Sequence, residues 1–190
     1  MILAIPSFAP GQTDNSDDLL YFSYGSNMST LRLQARIPSA VPLYTAVLKR
    51  HRLKWHKQGS DGSAKCDCCY TGIPNHRVIG VVYVIASSQK PILDQYEGLG
   101  EGYEGRQVWV EKADRTKSYV ATYHAIRINP SLRPFHWYKE HVLQGAREHQ
   151  LPTDYRREIE AVPSIPDPVP GRHARELAIY SPITGEDYSP

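Results

Sequence analysis

This chain is poor in the residues that build disulfide frameworks. Only three of its 190 residues are cysteine. All three, Cys66, Cys68 and Cys69, fall in one short stretch. An odd, clustered set makes a poor disulfide scaffold, and a reducing, cytoplasmic setting suits it better. Long apolar runs are also missing. The longest, around residues 78–86, falls well short of the roughly 20 apolar residues that span a bilayer. Residues 1–5 are apolar but lack a basic lead-in and run into Pro6 and Pro10, so they read as a loose leader and not a secretory signal. Charge bias is absent: 22 basic against 20 acidic side chains leave +2. Neither a glycine-rich phosphate loop nor a G-x-S-x-G elbow occurs. Ser26, with glycine on one side only, does not read as an activated nucleophile. Phenylalanine and tryptophan are scarce at three each, whereas tyrosine reaches 13. A core built for packing alone has no use for so many phenols, because each buried hydroxyl needs a partner.

With 41% hydrophobic and 22% charged residues, the chain is ordinary globular material of one-domain length. Residues 1–18 read as a loose leader, 19–162 as the domain and 163–190 as a Pro-rich, aperiodic tail. The aromatic run 19–24 reads as a buried strand. It stops at Gly25-Ser26-Asn27, after which Ser29 or Thr30 caps a short helix over 31–36 that Pro38 ends. Strands are expected at 44–48, 52–56 and 65–73, with a turn at Ser60-Asp61-Gly62-Ser63. Residues 77–85, rich in β-branched side chains, predict a central strand. A helix from Ser87 to Glu97 follows, with Gly98 at its C-terminal cap. Two alternating runs, 103–112 and 118–127, predict a hairpin. Helices over 135–150 and 154–162 close the domain. Six or so strands with few helices predict an α+β fold, a small mixed β-barrel or strongly curved sheet with flanking helices.

Five features could carry chemistry. Tyr24-Gly25-Ser26-Asn27 is a strand running into a small polar turn that opens a helix. Gly25 permits close backbone approach, and free N–H groups at such a turn make an anion or oxyanion site. Read blandly, the turn is an ordinary cap. Glu97 stands at the predicted helix C-terminus, where the helix dipole already presents partial negative charge. That placement pushes its carboxyl pKa upward, toward a general base's range. The bland alternative is a solvated Glu at a frayed end. Tyr21, Tyr24, Tyr103 and Tyr138 offer hydroxyls, although half-buried strand aromatics account for most of the 13. The basic stretch 49–57 could meet nucleic acid, but alternation puts Leu53 and Trp55 on one face and Lys54 and His56 on the other, which favours a solvated outer face. Finally, Cys66-Asp67-Cys68-Cys69 with His51, His56 and His76 suggests a metal site, yet the spacing is not C-x-x-C. Strand geometry puts Cys66 and Cys68 on one face and Cys69 on the other, so free thiols are the favoured reading.

Taken together, the segments resemble the γ-glutamylcyclotransferase, or AIG2-like, family. Tyr21-Phe22-Ser23-Tyr24-Gly25-Ser26-Asn27-Met28 is similar to its aromatic strand ending in Y-G-S-N. Gly80-Val81-Val82-Tyr83 resembles its G-V-V-aromatic strand. Leu93-Asp94-Gln95-Tyr96-Glu97-Gly98 resembles the L-D-x-x-E-G segment that holds the family's catalytic glutamate. Tyr138-Lys139, Gly145-Ala146-Arg147-Glu148, Leu151-Pro152 and Tyr155 resemble its C-terminal helical pattern. The four segments occur in order over residues 19–162.

The resemblance implies a small closed barrel with the Y-G-S-N loop and the glutamate facing one cavity. It also implies cyclisation of a γ-glutamyl compound (a γ-glutamyl amino acid, a γ-glutamyl-amine or glutathione) to 5-oxoproline with release of an amine or amino acid. In that reading Glu97 is the catalytic general base and acid. Backbone N–H groups of Gly25, Ser26 and Asn27 hold the α-carboxylate or the oxyanion, and Tyr24, Tyr103 and Tyr138 line the pocket. No metal and no organic cofactor is implied. Expected partners are the small-molecule substrate and, as an option, a second copy in a homodimer, with no nucleic acid and no membrane. The alternative is a catalytically silent family member that acts as a binding or regulatory module.

Overall fold

A computed structural model describes residues 18–181. Residues 1–17 and 182–190, which hold most of the expected leader and the end of the expected tail, lie outside it. Strand β1 (Asp18–Ser23) pairs antiparallel with β5 (Arg77–Ala86), Tyr21 opposite Tyr83. On its other edge β1 pairs parallel with β7 (Lys117–Ala125). Strand β2 (Val41–Lys49) takes the far side of β5, and β6 (Tyr103–Glu111) pairs with both β7 and β2. The order β1-β5-β2-β6-β7 is a closed barrel, the expected mixed architecture. A separate two-stranded ribbon, β3 (His51–Gln58) with β4 (Ala64–Tyr70), lies beside it. The Asp67 carboxylate accepts the Ala125 N–H at 2.9 Å and ties this ribbon to β7.

β5 is central as its composition predicts. Val78, Val81, Val82, Tyr83 and Ile85 are fully buried. A strand covered on both sides needs apolar residues on both faces. The β1 residues Tyr21 and Phe22 are buried with them. Leu53 and Trp55 of β3 pack on the core while Arg52 and Lys54 are exposed. Lys54 follows the alternation expected, but His56, expected on the solvated face with it, is half-buried and bonds Asp67 instead; Lys49 pairs with Glu111.

The helices follow their predicted places within a residue or two. Ser29 caps α1 (Thr30–Gln34), its hydroxyl accepting from the Arg32 N–H. Ser87 instead opens a 3-10 turn, Ser87–Gln89, and α2 (Lys90–Glu97) begins three residues later with Pro91 in its first turn. Gly98 ends α2 with φ 67°, the left-handed cap expected of it. Helices α3 (His136–Glu148) and α4 (Thr153–Glu160) follow. α3 lies against the 3-10 turn Ser26–Met28, and Gly145 makes that possible. A Cβ there would stand 2.5 Å from the Met28 carbonyl carbon and from the Ser29 nitrogen.

The segment after residue 162 corrects the expectation of an aperiodic tail. Residues 172–180 form α5 (Arg172–Leu177) and a 3-10 turn, Ala178–Tyr180. They strap across α1 and α3. Arg32 Nη1 donates to Glu176 at 2.9 Å and to His141 Nε2 at 2.7 Å. Guanidinium only donates, so His141 Nε2 must accept and Nδ1 must carry the proton. That proton points to the Tyr180 hydroxyl, 2.7 Å away, which in turn donates to Ser29 Oγ. Composition hid this strap because its anchors are polar side chains, not an apolar stripe.

His141 is fully buried, and burial pushes its pKa down to about 4. A histidine held neutral contributes stability above its unfolded pKa of roughly 6.5 and loses it as pH falls toward the folded value. The midpoint of urea unfolding should therefore drop between pH 6.5 and pH 4.5. A His141→Gln variant should be less stable at pH 7 but show a shallower drop. Parallel slopes for the two proteins would contradict this account of His141.

Candidate active site

Strand β1 delivers Tyr24 and the turn to the barrel mouth, and α2 delivers Glu97 to the same place. The structure brings together every site residue expected from sequence. Tyr24, Gly25, Ser26, Asn27, Glu97, Tyr103 and Tyr138 line one narrow slot of about 30 Å³. Asn27 Nδ2 donates to Glu97 Oε1 at 2.7 Å. Gly25 sits against the ribbon, where a Cβ would come within 3.2 Å of Cys66 Cβ and 3.4 Å of the Tyr138 oxygen. Among the described residues, no backbone or side-chain group accepts from the N–H of Gly25, Ser26 or Asn27. These are the free donors that an anion-binding turn requires.

The tyrosines are held in place by their hydroxyls. Tyr24 donates to the Tyr123 carbonyl at 2.5 Å and Tyr103 to the Cys66 carbonyl at 2.5 Å. The Tyr138 oxygen accepts the Cys66 N–H at 3.0 Å. Burial raises all three phenol pKa values well above the usual range. They are rigid walls whose hydroxyls stay neutral.

Tyr21, Ser23, Tyr123 and Cys66 complete the slot. The sequence marks Tyr21 only among the hydroxyl-bearing tyrosines and Cys66 only in the cysteine cluster, and it singles out neither Ser23 nor Tyr123. Tyr21 and Ser23 share a face of β1 by strand period two, a signal that was available. Cys66 gave none: it reaches the slot because β4 lies across the barrel mouth. Ser23 Oγ is buried with no hydrogen-bond partner, an orphaned polar atom in the wall. Arg36 was also missed. Its guanidinium donates to Asn27 Oδ1 at 3.0 Å and lies 4.9 Å from the Tyr96 ring centroid. Arg36 thereby fixes the Asn27 amide so that only its NH₂ can face Glu97.

Burial is the largest cause of a raised Glu97 pKa, opposed by Arg36, then Lys57, then Arg32. The direction agrees with the sequence argument, but the dominant cause is loss of water around the carboxyl and not the helix dipole.

Size alone would pick a different hollow, about 490 Å³ between β3 and α4, lined by Leu53, Trp55, Tyr155 and Ile159 with Arg52 and Arg77. It lacks the free N–H turn, so the chemistry favours the smaller slot. As for metals, Asp67, Cys68 and His124 bring ligand atoms within 4.8 Å of one another, as do His56, Asp67 and Cys69. Both Asp67 oxygens are already engaged, by the Ala125 N–H and by His56.

The AIG2-like family model matches residues 77–159, the span from β5 to α4. A gamma-glutamylcyclotransferase of Bos taurus is 28% identical over 173 residues, spanning 87% of this chain and 89% of that protein. The gamma-glutamylcyclotransferase of Mus musculus is 31% identical over 157 residues, spanning 77% and 79%. The chain belongs to the γ-glutamylcyclotransferase family. Its fold agrees: the solved structure of a gamma-glutamyl cyclotransferase superposes with a TM-score of 0.75 at 26% identity, over 86% of this chain and 98% of that one. The chain is an enzyme of the γ-glutamylcyclotransferase type. Among the described residues no helix is long and apolar enough to cross a membrane.

A carboxyl whose folded pKa is raised is penalised when ionised, so it subtracts stability above both pKa values and subtracts less as pH falls below them. Glu97→Gln should therefore melt higher than the parent at pH 8. The gap should narrow toward pH 4, near the ordinary glutamate value of about 4.3. Scanning calorimetry at the two pH values checks this, and a gap independent of pH would argue against a strained carboxylate.

Proposed function

We propose that the protein cyclises a γ-glutamyl compound to 5-oxoproline, with Glu97 as general base and then general acid. One observation carries the reading. Glu97 is the one carboxylate among the slot's lining residues, and it stands hydrogen-bonded to Asn27 of a turn whose N–H groups are free.

The chemistry needs no nucleophile from the protein. Glu97 takes a proton from the substrate's α-ammonium group, and the amine so formed attacks the γ-carbonyl carbon of the same molecule. A C–N bond closes the five-membered ring while the carbonyl π-electrons move onto oxygen. Protonated Glu97 gives its proton to the leaving nitrogen. The oxyanion collapses and the old C–N bond breaks. The ring nitrogen loses its second proton through Glu97 to the released amine, leaving a neutral lactam and an ammonium group. A carboxyl with a raised pKa suits both proton transfers. The free N–H groups of Gly25, Ser26 and Asn27 can hold the substrate α-carboxylate or the oxyanion, and Ser23 Oγ gains the partner it lacks. Holding the chain curled, amine against carbonyl, is the protein's largest task.

Incubation with γ-glutamyl-alanine, γ-glutamyl-methylamine and glutathione, with chromatography for 5-oxoproline, tests the reaction. No product from any donor at high enzyme concentration would favour the silent binding module. Glu97→Gln should lower kcat by about 10²–10⁴-fold, the usual worth of a general base. A folded variant with full activity would remove Glu97 from the mechanism. Loss of activity in acid should centre above the ordinary glutamate pKa, because the base must be ionised. Arg36→Met removes the largest charge opposing the raised pKa. The acid limb of its kcat/KM profile should move to higher pH; an unmoved limb would contradict the role of Arg36.

A further inference from the structure

Three cations act on Glu97, and two of them are already committed. Arg36 is bonded to Asn27, and Arg32 to Glu176 and His141. The third, Lys57, has no hydrogen-bond or ion-pair partner among the described residues, although it is only partly exposed. Its ammonium nitrogen lies 4.6 Å from the ring centroid of Tyr103, a wall of the slot. The β3–β4 register shifts between Trp55 and Lys57, and such bulges re-aim side chains. Gly102 leaves the room, since a Cβ there would stand 2.5 Å from Lys57 Cε and 2.7 Å from Nζ. Burial lowers the Lys57 pKa, with Glu97 and then Asp61 the main charges opposing that shift. Asp61 is held by Lys65 at 2.7 Å. An ammonium partly shielded from water and left without a counter-ion carries a cost, and a bound anion would offset that cost.

We propose that Lys57 binds the carboxylate of the amino acid released from the γ-glutamyl donor, and so makes the protein prefer donors whose leaving group carries a carboxylate over γ-glutamyl-amines. The assignment rests on the cyclisation proposed above. In that reaction the N–H groups of the Y-G-S-N turn take the glutamyl carboxylate or the oxyanion. That leaves Lys57, which does not line the slot itself but stands against the ring of its Tyr103 wall, as a separate cation for the second carboxylate of a leaving group that extends out of the slot. A donor with a cationic leaving group, such as the mono-conjugate of an alkyl diamine, would meet like charge.

Two donors of similar size separate the possibilities: γ-glutamyl-alanine, which carries the second carboxylate, and γ-glutamyl-methylamine, which does not. The parent should favour the alanine donor in kcat/KM. Lys57→Met removes a charge that acts on Glu97, so it should shift the pH profiles of both donors alike; on the pH plateau it should raise KM about tenfold more for γ-glutamyl-alanine than for the methylamine donor, so that the preference disappears. Lys57→Arg, which keeps the charge, should recover part of it. Equal losses on both donors would overturn the proposal and make Lys57 a group acting through Glu97 or through the fold. No change on either donor would overturn it too, as would a parent that favours the methylamine donor. Should Lys57→Met misfold, Lys57→Gln against Lys57→Arg gives the same comparison. Absence of 5-oxoproline from the parent with both donors would overturn the reaction itself, and that result is distinct from a preference that survives in Lys57→Met.

Discussion

The bond between the Asn27 amide and the Glu97 carboxylate joins residues 70 positions apart, and the arrangement of the barrel mouth depends on it. Asn27 lies in a turn launched by β1. Glu97 closes a helix that follows β5. Those two strands are antiparallel neighbours in register from Asp18 opposite Ala86 to Ser23 opposite Val81. The end of β1 therefore lies well along β5, away from where α2 begins, and α2 must run back across the barrel to return its last residue to the turn. Gly98, in a left-handed conformation, stops the helix there.

The bond works only if the amide is turned correctly, and the sequence motif does not ensure that. Asparagine presents an acceptor and a donor of nearly equal shape. Arg36, a residue of the link between α1 and β2, removes the ambiguity by occupying the acceptor. The turn itself is held from behind by the bare backbone of Gly145 and by the chain Arg32–His141–Tyr180–Ser29. Each support comes from a different part of the chain. The turn is thus fixed by long-range contacts and not by its own local propensity, which suits a group whose N–H donors must stay free.

This distribution explains what could be read from sequence and what could not. Periodicity and composition located β5, the β6–β7 hairpin and α3, because those elements bury regular stripes. The end of α2 was legible because Gly98 has a specific backbone reason to be there. The C-terminal strap was not legible, since Glu176 and Tyr180 reach polar partners that no apolar period marks. Arg36 and Lys57 were equally silent, one sitting in a link, the other in a basic stretch read as a solvated outer face. The rise in the Glu97 pKa was foreseen in direction but assigned to the helix dipole. The larger cause, burial under the ribbon and the tyrosine walls, is a tertiary fact. The tyrosine excess proved a better signal than its bland reading suggests. Five tyrosines, not three, line the slot.

Those five phenols also limit what the site can do. Tyr24 and Tyr103 spend their hydroxyl protons on main-chain carbonyls of β7 and β4, Tyr138 accepts the Cys66 N–H, and Tyr123 donates to Asp94. A phenol so bonded, with its pKa driven up by burial, is a poor proton donor or acceptor for a substrate. Its contribution is shape: a stiff aromatic face that shields the half-buried Glu97 from part of the solvent. Exclusion of water is what raises the carboxyl pKa, and the raised pKa is what would let one carboxylate both take and return a proton. The tyrosine walls thus act on the chemistry through the solvent they remove and not through their own ionisation.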